Sequence, residues 1–258
     1  MIHIIKSDMF RVKRNCVFYF ILFLAAVPPL LLNIAVRNGI RLGISVFSDM
    51  TSFTDVNDIV MSGIQYQKGL GLLCSIFISV YVSQEFSWKT WQNKYLIHRS
   101  RIRMYLSKTA VSILICQAVF VVYEITAFVC SSDMSGMISP SYLLSMANAL
   151  IVYAALGAVL CMISILIKSS PAGTVFSCLY VLFSQSAADN ILAFFSGKTD
   201  IVSRSLVRIT EHGLYCTCLS VCSYYHQSSF SALTVVSPVL IIVLSTLAGA
   251  ALFNKYEF

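Results

Sequence analysis

Charged residues are scarce in this chain, and their scarcity excludes a soluble protein. Asp, Glu, Lys and Arg make up 11% of the 258 residues, whereas soluble domains carry roughly 25%. Apolar residues reach 58%, and the mean hydropathy is +0.81. This composition predicts a helical membrane protein that crosses the bilayer several times and leaves no room for a soluble domain.

The motifs of several enzyme and metal-binding classes are also missing. The histidines form no H-E-x-x-H pattern, and the chain has no G-x-S-x-G. Most of the nine cysteines lie in apolar runs, where a thiol acts as a small apolar side chain. Only Cys216, Cys218 and Cys222 cluster, without the second ligand pair of a zinc site. We predict no disulfide framework, no metal site and no catalytic residue; the role of this cluster stays open.

Six apolar runs are long enough to cross a bilayer, which takes about 20 residues because the hydrocarbon core is about 30 Å thick. Pro28-Pro29 in the first run predicts a kink or locally open hydrogen bonding. The second run is polar at its start. The predicted fold is an all-α membrane protein, one domain over residues 1–258. The predicted spans are about 16–36, 61–83, 105–130, 142–167, 172–195 and 234–253.

Lys and Arg residues predict the orientation, because cytoplasmic segments are richer in them. Twelve of the eighteen lie before the first span, in 84–108, after the fourth span and at the C-terminus. The other six lie in the alternate segments. Both termini and residues 84–108 are therefore predicted to be cytoplasmic. The segment 196–233 on the other side is predicted to be an interfacial helix or a lid.

The segment Gln84 to Lys108 is unusually basic and aromatic, with six of the eighteen Lys and Arg residues. At 100° per residue, a helix over about 84–101 brings three of its aromatic side chains within about 60° of one another, with lysines on both flanks. The stripe comprises Trp88, Trp91 and Tyr95, and the lysines are Lys89 and Lys94. This pattern predicts a helix in the plane of the membrane interface. It leaves Glu85 and the polar residues up to Lys108 unexplained.

Short motifs in this segment follow a recognisable order. They are Glu85-Phe86, Lys89-Thr90, Asn93 to Leu96, Ser100-Arg101 and Tyr105 to Lys108. The order resembles the cytoplasmic segment of type-2 ABC transporter permeases, particularly the branch with bacitracin and lantibiotic immunity transporters. Those proteins typically show E-F-x-x-x-T, a short helix, S-R, and a third span that opens with S-K. This chain has Lys89 where many relatives have Gly, and His98-Arg99 where they have Pro or Gly.

The resemblance implies that this segment is a coupling helix that docks on a cytoplasmic ABC ATPase. The chain has no G-x-x-x-x-G-K-S/T loop, so ATP and magnesium are expected on that separate subunit. Further expected partners are membrane lipids and a second permease copy, identical or not; no nucleic acid is expected. The expected location is the bacterial plasma membrane. The docking residues implied are Glu85, Phe86, Trp88, Lys89, Thr90, Trp91, Lys94, Tyr95 and Arg101.

Glu124 and Asp189 are the carboxylates well inside apolar runs. They are either interfacial, with hydrogen bonds to neighbours such as Gln117 or Asn190, or a pair of acidic positions on the path of a cationic substrate. Small residues at 154–161 and 245–251 predict close helix packing and could also meet a second copy.

Three functions remain open at this stage. The resemblance favours ATP-driven export of a lantibiotic, a bacitracin-like peptide or a similar amphiphile, for immunity or resistance. Another cargo is an alternative, such as a signal peptide, a lipid-linked molecule or an ion. A third is a membrane scaffold or enzyme with no ATPase partner.

Overall fold

The computed structural model describes residues 2–40, 42–46, 49–53, 56–88, 90–91, 100–131, 139–195, 201–227 and 233–254. Most of these residues are helical, and an antiparallel hairpin pairs β1 (Leu42–Val46) with β2 (Asp49–Phe53). The helices are α1 (Ile2–Arg14), α2 (Cys16–Arg37), α3 (Val56–Ile64), α4 (Leu70–Ser87), α5 (Arg101–Cys130), α6 (Pro140–Ile167), α7 (Ser170–Phe195), α8 (Ile201–Glu211), α9 (Leu214–Gln227) and α10 (Leu233–Asn254).

Six of these helices are long and apolar enough to span a membrane: α2, α4, α5, α6, α7 and α10. The prediction of six spans is confirmed, and α2 runs unbroken through Pro28 and Pro29. Helix α6 is the most buried of the six, and it packs most extensively against α5 and α10. It is therefore the centre of the bundle.

The second span begins later than the sequence predicted. Residues 61–64 belong to the short helix α3, and a 3-10 turn over Tyr66–Lys68 separates α3 from α4. Gly69 then starts α4 with a φ of +134°, a conformation that side chains other than glycine rarely adopt. The predicted start at 61 was wrong because apolar residues continue across a break that the polar turn and Gly69 impose.

The break leaves backbone carbonyls at the end of α3 without helical partners. Side chains from the surrounding helices replace those partners. The Tyr153 hydroxyl donates to the carbonyl of Gly63 at 2.7 Å, and the Cys218 thiol donates to the carbonyl of Ile64 at 3.2 Å. The end of the short helix is thus fixed to α6 and α9 by buried hydrogen bonds, and the Tyr123 hydroxyl of α5 adds a bond to the carbonyl of Ile59.

Tyr153→Phe is expected to destabilise this junction, since it removes the donor to a buried carbonyl without changing the ring. An unsatisfied buried group costs about 1–3 kcal/mol. Tyr19→Phe is the matched control, because Tyr19 is 55% exposed. Thermal melting of the detergent-purified variants should show a lower midpoint for Tyr153→Phe alone; equal midpoints would contradict this account.

The small residues of α6 pack inside the chain. Gly157 faces the backbone of α5, where an added Cβ would lie 2.8 Å from the carbonyl oxygen of Ser112. Ala154, Ala155, Ala158 and Cys161 are also buried. Packing within the chain, and not contact with a second copy, therefore accounts for this face.

The small residues of α10 divide between two surfaces. Ser245 and Gly249 are buried, and Gly249 packs against the ring of Tyr105 in α5. Ala248 and Ala251 are exposed. Ala248 and Ala251 therefore remain available for contact with another chain.

The segment predicted as an interfacial helix or a lid forms two different helices. Helix α8 exposes large apolar side chains, among them Ile201, Val202 and Ile209. Helix α9 packs against α6 and buries Leu214, Cys218 and Val221. Part of this segment is therefore core, which the prediction missed.

Candidate functional site

A cluster of four charged side chains lies where α1, α4 and α5 meet, at the end of the bundle predicted to be cytoplasmic. Asp8 and Arg11 come from α1, Glu85 from the last turn of α4, and Lys108 from the second turn of α5. Asp8 and Glu85 are fully buried, and Lys108 is 1% exposed. With two cations and two carboxylates, this charge cluster is formally neutral, which reduces the cost of burying charge.

Lys108 is the centre of the charge cluster. Its Nζ lies 2.9 Å from Oδ1 of Asp8, 2.7 Å from Oε1 of Glu85 and 3.0 Å from the hydroxyl of Tyr81. An ammonium group has three N–H donors. The site therefore offers one acceptor for each donor, and it holds Lys108 in one position.

Arg11 and two neutral neighbours supply the other bonds of the charge cluster. Arg11 pairs with Oε1 of Glu85, and Ser107 donates to Oδ2 of Asp8 at 2.9 Å. The Tyr81 hydroxyl contacts the carbonyl of Asp8 at 3.3 Å, and Arg11 lies over the Tyr81 ring. These bonds fasten α1 to the bases of two spans, α4 and α5.

Helix α1 was not predicted, although its sequence carries the signal. Ile4, Asp8 and Val12 lie at intervals of four residues, and all three are buried. Residues four apart share one face of a helix. Asp8 is the only carboxylate before Asp49 and lies among several basic residues. Its position on the apolar face marks it as a buried partner for a cation.

The burial of Glu85 corrects one part of its expected role. The resemblance implied that Glu85 pairs with charges on an ATPase. Its side chain is instead inaccessible and paired with Lys108 and Arg11 of the same chain. In this conformation its carboxylate cannot reach a partner, because α1 covers it.

The two tryptophans of the predicted aromatic stripe occupy different environments. Trp88 is the C-cap of α4 and is 64% exposed. Trp91 is 1% exposed, and its ring lies 4.9 Å from Phe253 and 5.3 Å from Phe86 between centroids. Helix α4 ends at Ser87, before both tryptophans, and the stripe over Trp88, Trp91 and Tyr95 stays a prediction.

Other proposed docking residues make local contacts. The Thr90 hydroxyl donates to the carbonyl of Glu85 at 3.2 Å, and Arg101 donates to the carbonyl of Asn254 at 3.0 Å. Lys89, Lys94 and Tyr95 lie outside the described residues. A coupling helix over 84–101 therefore stays a prediction, apart from residues 84–87, which belong to α4.

The two carboxylates within spans have different surroundings. Glu124 in α5 is 6% exposed, whereas Asp189 in α7 is exposed. The neighbours expected to bond them have other partners: Gln117 donates to the carbonyl of Leu150, and Asn190 donates to that of Ser186. Glu124 is therefore a buried group, and Asp189 is a surface group.

Glu124 borders a groove between α5 and α6 with a volume of about 370 Å³. The other lining side chains are apolar or aromatic, and include Phe120, Ile125, Leu143 and Met146. Among the described residues, neither carboxylate oxygen of Glu124 has a hydrogen-bond partner. An unsatisfied buried carboxyl is unusual; both oxygens of this one are themselves buried, and Oε1 lies against Gly63 of α3.

The clustered cysteines have structural surroundings. The Cys218 thiol donates to the carbonyl of Ile64 at 3.2 Å, and the nine cysteines are free. Burial, and then the carboxylates of Asp189 and Glu211, raise the pKa of the Cys216 thiol. No three His, Cys, Asp or Glu side chains in the described ranges are placed to hold a metal ion. Cys218 therefore helps to close the end of α3.

The fold defines a multi-pass helical membrane protein with a buried charge cluster at one end and an apolar groove near the other. No model of a known protein family matches the chain, and a search of curated proteins gives no significant match.

Proposed function

We propose that this chain is the membrane-spanning subunit of an ATP-driven ABC exporter. Two six-span subunits would work together in a bacterial plasma membrane, with cytoplasmic ATPases bound at the end that carries the charge cluster. The proposal combines the order of motifs between Glu85 and Lys108 with six membrane-spanning helices. ATP and magnesium would bind only to the ATPase subunits.

The observation that carries the proposal is the position of the charge cluster. Glu85 and Lys108 stand at the two ends of the segment that the resemblance identifies as coupling element, and they are bonded directly to each other. A displacement of that segment would move α4 and α5 together, because the ion pair joins their bases. Such rigid-body transmission is what an ATPase needs in order to move membrane spans.

Trp88 is the best candidate for direct contact with the ATPase. It is a large exposed aromatic side chain only three residues beyond the buried Glu85. Tryptophan is enriched among the residues that dominate protein interfaces. The docking role thus moves from the buried carboxylate to the exposed indole beside it.

Trp88→Ala is expected to weaken the ATPase complex by at least about tenfold, as for an interface residue worth 1.4 kcal/mol or more. The chain would be co-expressed with an ATPase encoded beside it and purified through its own tag. ATPase retention would then be measured across a dilution series.

Phe194→Ala is the matched control. Phe194 is 65% exposed, nearly the same as Trp88, but lies at the end of α7 next to Phe195, where the helix ends. Retention should be unchanged in this variant. If the wild-type chain retains no ATPase, the proposed function is wrong; if Trp88→Ala retains it fully, the assigned contact is wrong.

The proposed cargo is a peptide antibiotic of the lantibiotic or bacitracin type, or a similar amphiphile. Cells that express the permease with its ATPase should survive higher concentrations of such peptides than cells with a Walker-lysine variant of the ATPase. Equal survival with every peptide tested would exclude the immunity role and leave export of another cargo. A scaffold without an ATPase would show neither ATPase retention nor increased survival.

A further inference from the structure

We infer that a cleft between α1 and α4 binds the phosphodiester group of an anionic phospholipid. The cleft has a volume of about 420 Å³, and it shares Arg11 and Tyr81 with the charge cluster. Its other lining residues include Arg14 and the exposed Trp88. The inference does not depend on the exporter, because a lipid would bind whether or not an ATPase is present.

Two guanidinium groups face the cleft. A guanidinium has five N–H donors and no acceptor. Arg11 uses Nη1 to bond Glu85, yet 31% of its side chain stays exposed. Arg14 is exposed, lies over the ring of Phe10, and is paired with no carboxylate in the described part of the chain. The cleft therefore presents N–H donors that the chain itself does not use.

Two amide side chains add further donors. Oδ1 of Asn15 accepts from the backbone N–H of Val17 at 3.0 Å, so the NH₂ group of Asn15 is the part left for a ligand. Gln84 of α4 is half-buried and lines the opposite side of the cleft. No described carboxylate lines it. Donors without a facing carboxylate favour an anion with several oxygen acceptors, and guanidinium groups bind phosphate through paired hydrogen bonds.

The charge of the cleft matches a single phosphodiester. In the charge cluster, Asp8 and Glu85 balance Arg11 and Lys108. Arg14 is therefore the excess positive charge beside it. The headgroup of phosphatidylglycerol carries one negative charge and no cation. Phosphatidylcholine carries the same phosphodiester with a quaternary ammonium, which the guanidinium groups would repel.

The depth of the cleft favours a lipid over a free phosphate. Asn15 separates α1 from the membrane-spanning helix α2, and Trp88 caps the end of α4. The cleft thus lies where two spans end, at the level of the lipid headgroups, where tryptophan is common. Val17 and Phe20 of α2 are exposed just beyond it and offer a surface to the acyl chains. Anionic lipids are attracted to basic groups at the cytoplasmic surface, where this end of the bundle is predicted to lie.

Tryptophan fluorescence provides a local measurement. The chain has two tryptophans; Trp91 is 1% exposed, whereas Trp88 borders the cleft and is 64% exposed. Bromine atoms on acyl chains quench indole fluorescence at short range. The full chain would be reconstituted without an ATPase in dioleoylphosphatidylcholine vesicles that contain increasing fractions of brominated phosphatidylglycerol or, in a parallel series, brominated phosphatidylcholine. Wild-type protein should bind phosphatidylglycerol on the order of tenfold more tightly, as expected for a charge-assisted contact.

Arg14→Gln removes the excess charge and should abolish this preference, so that both lipids quench alike. Lys13→Gln is the matched control, because it removes the same charge from the adjacent exposed residue, which does not line the cleft. Its preference should stay at the wild-type level. Gln84→Glu keeps the side-chain size, places a carboxylate in the cleft, and should also abolish the preference. All three variants leave Trp88 in place as the reporter.

Equal quenching of wild-type protein by the two lipids would overturn the inference. An undiminished preference in Arg14→Gln would do the same, as would an equal loss in Lys13→Gln, which would indicate surface charge alone. If Arg14→Gln fails to fold, Gln84→Glu decides in the same way.

A last arm separates lipid from free phosphodiester. Excess glycerophosphoglycerol, which is the same headgroup without acyl chains, should leave the quenching by brominated phosphatidylglycerol unchanged. Displacement by it would overturn the lipid assignment and identify a site for a soluble phosphodiester. Since the vesicles contain no ATPase, loss of the ATPase complex in the earlier test would overturn the exporter and leave this lipid result intact.

Discussion

Lys108→Met is expected to lower the melting temperature of the purified protein by on the order of 10 °C. The substitution keeps a long side chain but removes the ammonium that bonds Asp8, Glu85 and Tyr81. Two buried carboxylates then face one remaining cation, Arg11. Breaking a buried ion pair from one side costs about 3–5 kcal/mol, because the partner stays buried without its counter-charge.

Two comparisons isolate this effect. Lys13→Met makes the same chemical change on an exposed position of α1 and should leave the melting temperature unchanged. Asp8→Asn combined with Lys108→Met removes one charge of each sign and leaves the Arg11–Glu85 pair, so it should recover part of the loss. If wild-type protein and Lys108→Met have equal melting temperatures, the charge cluster does not hold the helices together.

Glu85→Lys is expected to prevent recovery of folded protein even when no ATPase is present. It would place a third cation beside Lys108 and Arg11, with Asp8 as the only described carboxylate at the site. Like charges in a buried site repel one another strongly, and each pays a desolvation cost of several kcal/mol. The monodisperse fraction after detergent extraction should fall by at least about tenfold.

Trp88→Lys provides the comparison, because Trp88 is exposed at the end of the same helix. It should yield folded protein that has lost only the proposed ATPase contact. If Glu85→Lys instead gives a well-folded chain, Glu85 is not held as described and its carboxylate is free to meet a partner.

The motif residues from Glu85 to Lys108 fall into two groups, one buried inside the chain and one at its surface. Glu85, Ser107 and Lys108 are used inside the chain, where they hold α1, α4 and α5 together. Trp88 stays at the surface. A buried charge cluster is also compatible with a membrane protein that lacks an ATPase, so the co-purification test with Trp88→Ala is the decisive one.

The spans could be predicted because each depends on local composition. A run of about 20 apolar residues spans a bilayer whatever its neighbours are, and five of the six predicted spans start within a few residues of the observed helices. The second start failed because Tyr153 and Cys218, distant in sequence, supply the hydrogen bonds that permit a break there. No local pattern around residue 61 contains those partners.

The amino-acid sequence by itself determined the membrane class, the number of spans and the distribution of basic residues, because each depends only on the composition of consecutive stretches of the chain. Tertiary structure decided which charges are buried and which are free. Glu85 and Glu124 are both carboxylates near apolar runs, yet one has two cationic partners and the other has none among the described residues. That difference arises from side chains brought together from separate helices, and the hydrogen bonds they offer or withhold set the role of each carboxylate.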